Sequence, residues 1–112
     1  MTKGELAESL YHGQEGYNCA QAILKTFQVE FNIPEQKILS AKKLGRGNAE
    51  GGICGALYAA LAITSCVKTK TYLQSVFKNK AGNTQCTAIR TNKKLNCKGC
   101  VKLVAETLET IF

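Results

Sequence analysis

Apolar residues recur along this chain at the spacing of α-helices, and no stretch alternates apolar and polar residues as a half-buried strand does. The clearest case follows Asn18, a residue type that caps helix N-termini well. The segment CAQAILKTFQVEF comes next, and Asn32-Ile33-Pro34 ends it. Its apolar residues share one helical face: Ala22, Ile23, Phe27 and Phe31. The pattern predicts an all-α fold.

Start and stop signals place the other helices. Thr2 and Glu5 form a capping box that opens a first helix ending near Tyr11. Pro34 suits the first turn of a third helix, and Asn96 caps the last one. The remaining predicted elements are a third helix at about 34–44, a fourth at about 52–67, a fifth at about 69–79, a helical turn from Thr84 or Gln85 to Arg90, and a last helix at 97–111. We expect one domain, 1–112, folded as a compact bundle of four or five helices.

Small residues recur at helical spacing through the fourth helix and let another helix approach closely. They form two rows: Gly51, Gly55 and Ala59, and beside them Gly52, Ala56 and Ala60. This ladder packs either within the chain or across a homodimer. The preceding loop, LGRGNAEGG, lacks the Gly-Lys-Ser/Thr ending and the strand of a phosphate-binding loop, so phosphate binding is not favoured.

The apolar content is that of a globular protein, at 45% of residues. The most apolar stretch, 53–67, is shorter than the roughly 20 residues of a membrane span, so we expect a buried helix and no membrane insertion. The polar N-terminus has no secretory signal. We therefore expect a cytoplasmic protein, where six cysteines indicate metal binding or redox chemistry more than structural disulfides.

The net charge of +7 is unevenly distributed, since segment 51–105 contains no acidic residue. A basic surface can bind nucleic acid, but no recognition helix, zinc finger or RNA-binding module is present. The plain alternative is a solvated basic face. The third interpretation concerns the cysteines of this segment, because a cationic field favours thiolate over thiol.

Four cysteines fall at predicted helix starts: Cys19, Cys54, Cys86 and Cys97. Free N–H groups and the positive end of the helix dipole stabilise thiolate there and lower the thiol pKa. Thiolate is the species needed both for disulfide exchange and for metal ligation. These four cysteines are therefore the candidate catalytic residues and, in the alternative interpretation, the candidate metal ligands.

The other candidates have simple structural explanations. Cys66 lies within the apolar fourth helix and reads as a small buried hydrophobe. Cys100 is one turn beyond Cys97, where it serves either as a resolving partner or as a core residue. His12 is expected to be a surface residue, and the alternative is a Cys–His nucleophile pair. Glu15 and Glu50 are near cysteines in sequence and are candidate proton acceptors.

Four segments appear in the order of a known family: YNCAQAIL (17–24), GGICGALYAAL (51–61), NTQCTAI and CKGCV. On these, the chain resembles the all-helical, bacterial and archaeal redox-active proteins named for the motif C_GCAxxG_C_C. The resemblance implies that Cys19, Cys54, Cys86 and Cys97 are the signature cysteines. It departs at Ala59, where the family has Gly, and at Cys100, where it has an aromatic or aliphatic residue. The family's redox label rests on its cysteine pattern.

Three functions remain open from the sequence. In the first, a thiolate attacks a disulfide or oxidant from an unknown electron or thiol partner, and a second cysteine resolves the mixed disulfide; Cys54 is the preferred nucleophile and Cys19 its partner. Such a protein would be a thiol–disulfide oxidoreductase. In the second, the four cysteines bind zinc, copper(I) or an iron–sulfur cluster. In the third, the thiols are inert parts of a structural or interaction module.

Overall fold

Seven α-helices form among residues 2–14, 16–44 and 49–111, the parts of the chain described by a computed structural model. The all-α class predicted from the sequence is confirmed, with more helices than the four or five expected. Two short 3₁₀ segments, Ala41–Leu44 and Glu50–Gly52, lie between the third and fourth helices. The α-helices are α1 Lys3–Leu10, α2 Cys19–Thr26, α3 Glu35–Ser40, α4 Gly55–Ile63, α5 Val67–Ala81, α6 Cys86–Asn92 and α7 Cys97–Ile111.

Capping chemistry explains the starts of α1, α2 and α7. Thr2 and Glu5 form the predicted capping box. Asn18 forms another with Gln21, whose backbone N–H donates to Asn18 Oδ1 at 2.8 Å. Asn96 Oδ1 accepts from the Gly99 N–H at 2.7 Å. These local hydrogen bonds satisfy backbone donors that the first helical turn leaves without partners, so these starts were readable from the sequence.

Helix α7 is the centre of the packing. It contacts α1, α2, α4 and α5. One face of α7 carries apolar residues at helical spacing, and they are completely shielded from solvent: Val101, Val104, Ala105 and Leu108. Burying this face removes apolar surface from water at about 25 cal/mol per Å², which makes α7 the main support of the core.

Two predicted helices were too long. The second ends at Thr26 rather than near Phe31, because the chain turns through 27–32. The fourth covers only Gly55–Ile63, and the chain is extended at Thr64. Burial is the physical reason why α4 ends early. The described side chains of α4 are mostly buried, whereas α5 exposes most of its residues, so one straight helix cannot serve both.

The small residues of α4 pack within the chain, whereas Gly51 and Gly52 of the predicted ladder precede the helix in a 3₁₀ segment. Gly55, Ala56, Ala59 and Ala60 are all buried, and α4 contacts α2 and α7. Gly55 allows the closest approach: a Cβ there would lie 2.6 Å from Cys19 Sγ and 3.0 Å from the Leu44 carbonyl oxygen. The missing side chain therefore brings the start of α4 against the start of α2.

No strand occurs among the described residues, although two isolated bridges join loop segments, Tyr11 with Tyr17 and Ile53 with Gln85. In the same part of the chain, every helix falls short of the length and apolar character that crossing a membrane requires.

Replacing Gly55 with Ala tests the contact between α2 and α4. We expect Gly55→Ala to lower the free energy of unfolding by about 1–3 kcal/mol, because the new methyl group overlaps Cys19 and a backbone carbonyl. The measurement is urea unfolding of the reduced protein. Ser75→Ala is the control: Ser75 is exposed on α5, so the change adds no overlap and should stay within about 1 kcal/mol. Equal losses in the two variants would contradict the assigned contact.

Candidate functional site

Helix starts carry five of the six cysteines. Cys19, Cys86 and Cys97 are the first residues of α2, α6 and α7, and Cys54 and Cys66 hold the N-cap positions of α4 and α5. The predicted positions of the four signature cysteines at helix starts are therefore confirmed. All six cysteines are free thiols.

One cavity of about 550 Å³ brings most of these thiols together. Five cysteines line it, and we call it the thiol cavity: Cys19, Cys54, Cys86, Cys97 and Cys100. Its volume lies within the range of small-molecule sites. All four cysteines selected from the sequence thus face a common space, together with Cys100, which the sequence left between a resolving and a core role.

Two bridges between loop segments build this cavity. The Cys54 N–H donates to the Thr84 carbonyl oxygen at 2.8 Å, and the Ile53–Gln85 bridge lies beside it. The segment entering α4 is therefore tied to the segment entering α6. This tie places Cys54 near Cys86, so closely that the charge of one raises the pKa of the other.

The second bridge brings α1 to the start of α2. The His12 N–H donates to the Tyr17 carbonyl oxygen at 2.8 Å, so the chain doubles back after α1. Tyr11 consequently reaches the cavity, where it lies near Cys19 and Cys97.

Side-chain amides fix the start of α2 against the segment after α3. The Asn18 Nδ2 group donates to the Ala41 and Lys42 carbonyl oxygens at 3.1 and 2.8 Å. Gln21, only 4% exposed, donates from Nε2 to the Ile38 carbonyl oxygen at 3.1 Å. Amides whose hydrogen bonds are satisfied hold a fixed geometry, so Cys19 between them has a defined position.

Cys97 lies between a phenol and a cation. Its side chain lies beside the Tyr11 phenol and the Arg90 guanidinium, and its presence raises the pKa of both groups. Desolvation by burial is the larger cause for Tyr11, whereas Cys97 is the largest cause for Arg90. Cys97 is half-buried and so remains within reach of a ligand in the cavity.

Cys54 and Cys100 form an inner pair. They are 6% and 2% exposed, and their side chains lie beside each other. This contact is the largest cause that raises the pKa of Cys54 well above its usual value, and burial is the second. The sequence left Cys100 between a resolving partner of Cys97 and a core residue; the structure buries it in the core beside Cys54.

Three cavity thiols hold their protons more tightly than the sequence predicted. Burial raises the pKa of Cys19 to about 12, and the charges of Cys54 and Cys97 add to the effect. Burial also raises the pKa of Cys86, although Arg90 opposes it. Backbone N–H groups at the helix starts do lower the pKa of Cys19 and Cys54, as expected, but burial and neighbouring thiols outweigh them.

The prediction for Cys66 was wrong. It is exposed and lies at the start of α5, not inside a buried fourth helix. Hydrogen bonds from the backbone and side chain of Thr69 and from the Lys68 backbone lower the pKa of this thiol. A helix start therefore lowers the thiol pKa most clearly at Cys66, a cysteine for which the sequence did not predict this effect. Cys66 is exposed, so burial does not outweigh the effect.

The remaining candidates differ in their placement. His12 is exposed, as predicted, and its ring stacks on Tyr11 with centroids 4.0 Å apart at the rim of the cavity. Glu15 lies outside the described residues, as do residues 45–48 of the Gly-rich loop and the side chain of Glu50. The two acids stay predictions as proton acceptors.

Metal ligation has no ready-made site in the described part of the chain. Among residues 2–14, 16–44 and 49–111, the His, Cys, Asp and Glu side chains form no group of three or more arranged to hold a metal ion. The four cysteines line one cavity without closing into a ligand cluster, so the metal interpretation stays a prediction from the sequence.

The sequence indicated a cationic field around the cysteines but did not identify which cations reach the site, and it missed Tyr11. The structure places Arg90 and Lys93 in the cavity lining. Arg90 lies four residues after Cys86, a spacing that puts both on one face of α6, so a signal was present. Tyr11 had no such signal, because only the bridge with Tyr17 brings it to the cysteines.

Comparison with known proteins gives one match. The sequence model of the family described as "Putative redox-active protein (C_GCAxxG_C_C)" matches residues 17–111, nearly the whole chain. No curated protein matches. No solved structure matches either.

The pKa directions predict the order in which the thiols are alkylated. At pH 7 we expect iodoacetamide to modify Cys66 before Cys19, Cys54 or Cys86, because Cys66 is exposed and its pKa is lowered. As the pH rises toward 9.5, the rates at the three buried thiols should continue to increase after the rate at Cys66 has levelled off, since their pKa values are raised. Peptide mass spectrometry over time measures each rate.

The same reaction in urea is the control, because unfolding should bring all six rates together. Faster modification of the buried thiols than of Cys66 in the folded protein would contradict the dominance of burial.

Proposed function

Since this chain belongs to the C_GCAxxG_C_C family of redox-active proteins, we propose that it is a thiol-based redox protein that exchanges disulfides through its thiol cavity. The observation that carries the proposal is the convergence of five free cysteines on one cavity of small-molecule size. Neighbouring thiols can form a protein disulfide with little movement, and a protein disulfide is the product of two-electron oxidation. The activity would be that of a thiol–disulfide oxidoreductase in a reducing compartment such as the cytoplasm.

Cys97 is the attacking thiol in this proposal. It is half-buried and within reach of the cavity, and its side chain contacts the Arg90 guanidinium and the Tyr11 hydroxyl group. A partly exposed, electropositive environment is typical of reactive cysteines, and Cys97 has both features. The sequence-based preference for Cys54 is replaced, because Cys54 is 6% exposed and its pKa is strongly raised.

The exchange proceeds in two steps. The Cys97 thiolate attacks one sulfur of a substrate disulfide; a bond to Cys97 Sγ forms, the substrate S–S bond breaks, and the leaving thiolate takes the electron pair and then a proton from solvent. Cys19 or Cys86, both close enough to Cys97 for their charges to interact, loses its proton and attacks Cys97 Sγ. A protein disulfide forms and the second substrate thiol leaves. The substrate gains two electrons from the protein, and a dithiol reverses the reaction.

The inner pair supplies a second dithiol within the same site. Cys54 is close enough to Cys19 and Cys86 for their charges to interact, and its side chain lies beside that of Cys100. A disulfide formed at the outer thiols can therefore pass inward by exchange. The raised pKa of Cys54 keeps this thiol protonated until such a disulfide arrives, which protects it from direct oxidation.

Single-turnover kinetics test the proposal. The exposed thiol is first removed by Cys66→Ser, and the anaerobically reduced protein is mixed with bis(2-hydroxyethyl) disulfide. We expect Cys97→Ser to slow formation of the first mixed disulfide by more than about tenfold, because the attacking sulfur is lost. Cys54→Ser should slow this step less, since Cys54 acts later. Trapping followed by mass spectrometry measures the rates.

Equal rates with and without Cys97 would overturn the assignment of the nucleophile. Metal analysis and an absorption spectrum of the anaerobically purified protein accompany the kinetics. Stoichiometric iron, zinc or copper on the cavity cysteines would instead support the metal interpretation, and cavity thiols that stay inert toward the disulfide would support a structural module.

A further inference from the structure

The thiol cavity carries positive charge and no negative side chain among the described residues that line it. Arg90 and Lys93 contribute the charges, and both are exposed at the cavity. Ion pairs among the described residues involve other cations, Lys3 with Glu30 and Lys25 with Glu35. None of the carboxylates that the structure describes pairs with either cavity cation.

The two cations have different tasks. Arg90 lies beside the Cys97 side chain in the cavity, so part of its charge acts on the attacking sulfur. Lys93 follows α6 with φ 58°, a left-handed conformation that directs the chain from α6 toward α7. Lys93 is thereby left at the cavity as a cation for a ligand. Because the site is partly open to water, the electrostatic attraction between Lys93 and an anion weakens as the salt concentration rises.

We propose that the thiol cavity selects small disulfides that carry carboxylate groups, with Lys93 and Arg90 attracting the carboxylate while Cys97 attacks the sulfur. This inference rests on the proposed function and adds the substrate class. The volume of about 550 Å³ accommodates a small molecule. The cationic lining steers an anionic substrate inward and repels a cationic one.

Three disulfides of similar length but different charge provide the test: 3,3′-dithiodipropionate is anionic, bis(2-hydroxyethyl) disulfide is neutral and cystamine is cationic. The rate of mixed-disulfide formation at Cys97 is measured for each in the Cys66→Ser protein, at low and at high salt. We expect the anionic probe to react fastest and the cationic probe slowest at low salt. High salt should bring the three rates together.

Lys93→Asn localises the effect. Asn removes the charge and tolerates the left-handed backbone that position 93 requires. We expect it to lower the ratio of the anionic to the neutral rate by roughly two- to fivefold, the size expected of one exposed charge. The matched control, Lys80→Gln, removes one positive charge from α5 outside the cavity lining and should leave the ratio unchanged. Using a ratio cancels any general change in Cys97 reactivity.

The outcomes separate the two proposals. Failure of all three disulfides to react would refute the proposed function itself. Equal reaction with all three at low salt would leave disulfide exchange standing and overturn the substrate class. An equal loss of the ratio in Lys80→Gln would also overturn it, because net charge rather than the cavity would then select the substrate.

Discussion

The close approach of α2 and α4 at Gly55 is the contact on which the thiol cavity depends. Cys19 Sγ occupies the space that a side chain at position 55 would need, so the first thiols of two helices come to lie side by side. The Ile53–Gln85 bridge then adds Cys86. A glycine at this position is therefore part of the site as much as part of the packing.

Burial divides the cavity thiols into two groups, and the proposed order of reaction follows from this division. Helix-start N–H groups lower the pKa at several of these cysteines, but desolvation and neighbouring thiols prevail for the deep ones. Cys97 lies beside a guanidinium and a phenol at the half-open edge of the cavity. In the proposed mechanism it therefore attacks first, and the thiols with raised pKa values react after a disulfide reaches them.

Helix caps could be predicted from the sequence, whereas burial in the folded chain could not. The cap at Asn96 and the full extent of α7 were predicted correctly, because capping depends on neighbouring residues. The break at Thr64 was missed, since it arises where a buried helix gives way to an exposed one. The pKa direction at Cys19 was missed for the same reason. The contact between Arg90 and Cys97 depends on how α6 meets α7, which no local pattern records.

Disulfide mapping of the oxidised protein tests the central claim most directly, that the cavity cysteines form one redox unit. The reduced native chain is treated with a stoichiometric disulfide, remaining thiols are blocked at low pH, and the peptides are identified by mass spectrometry. The account predicts an intramolecular disulfide between two cysteines of the thiol cavity, with Cys66 outside every intramolecular pair. Oxidation that leaves all five cavity cysteines free, or that joins chains only through Cys66, would contradict it.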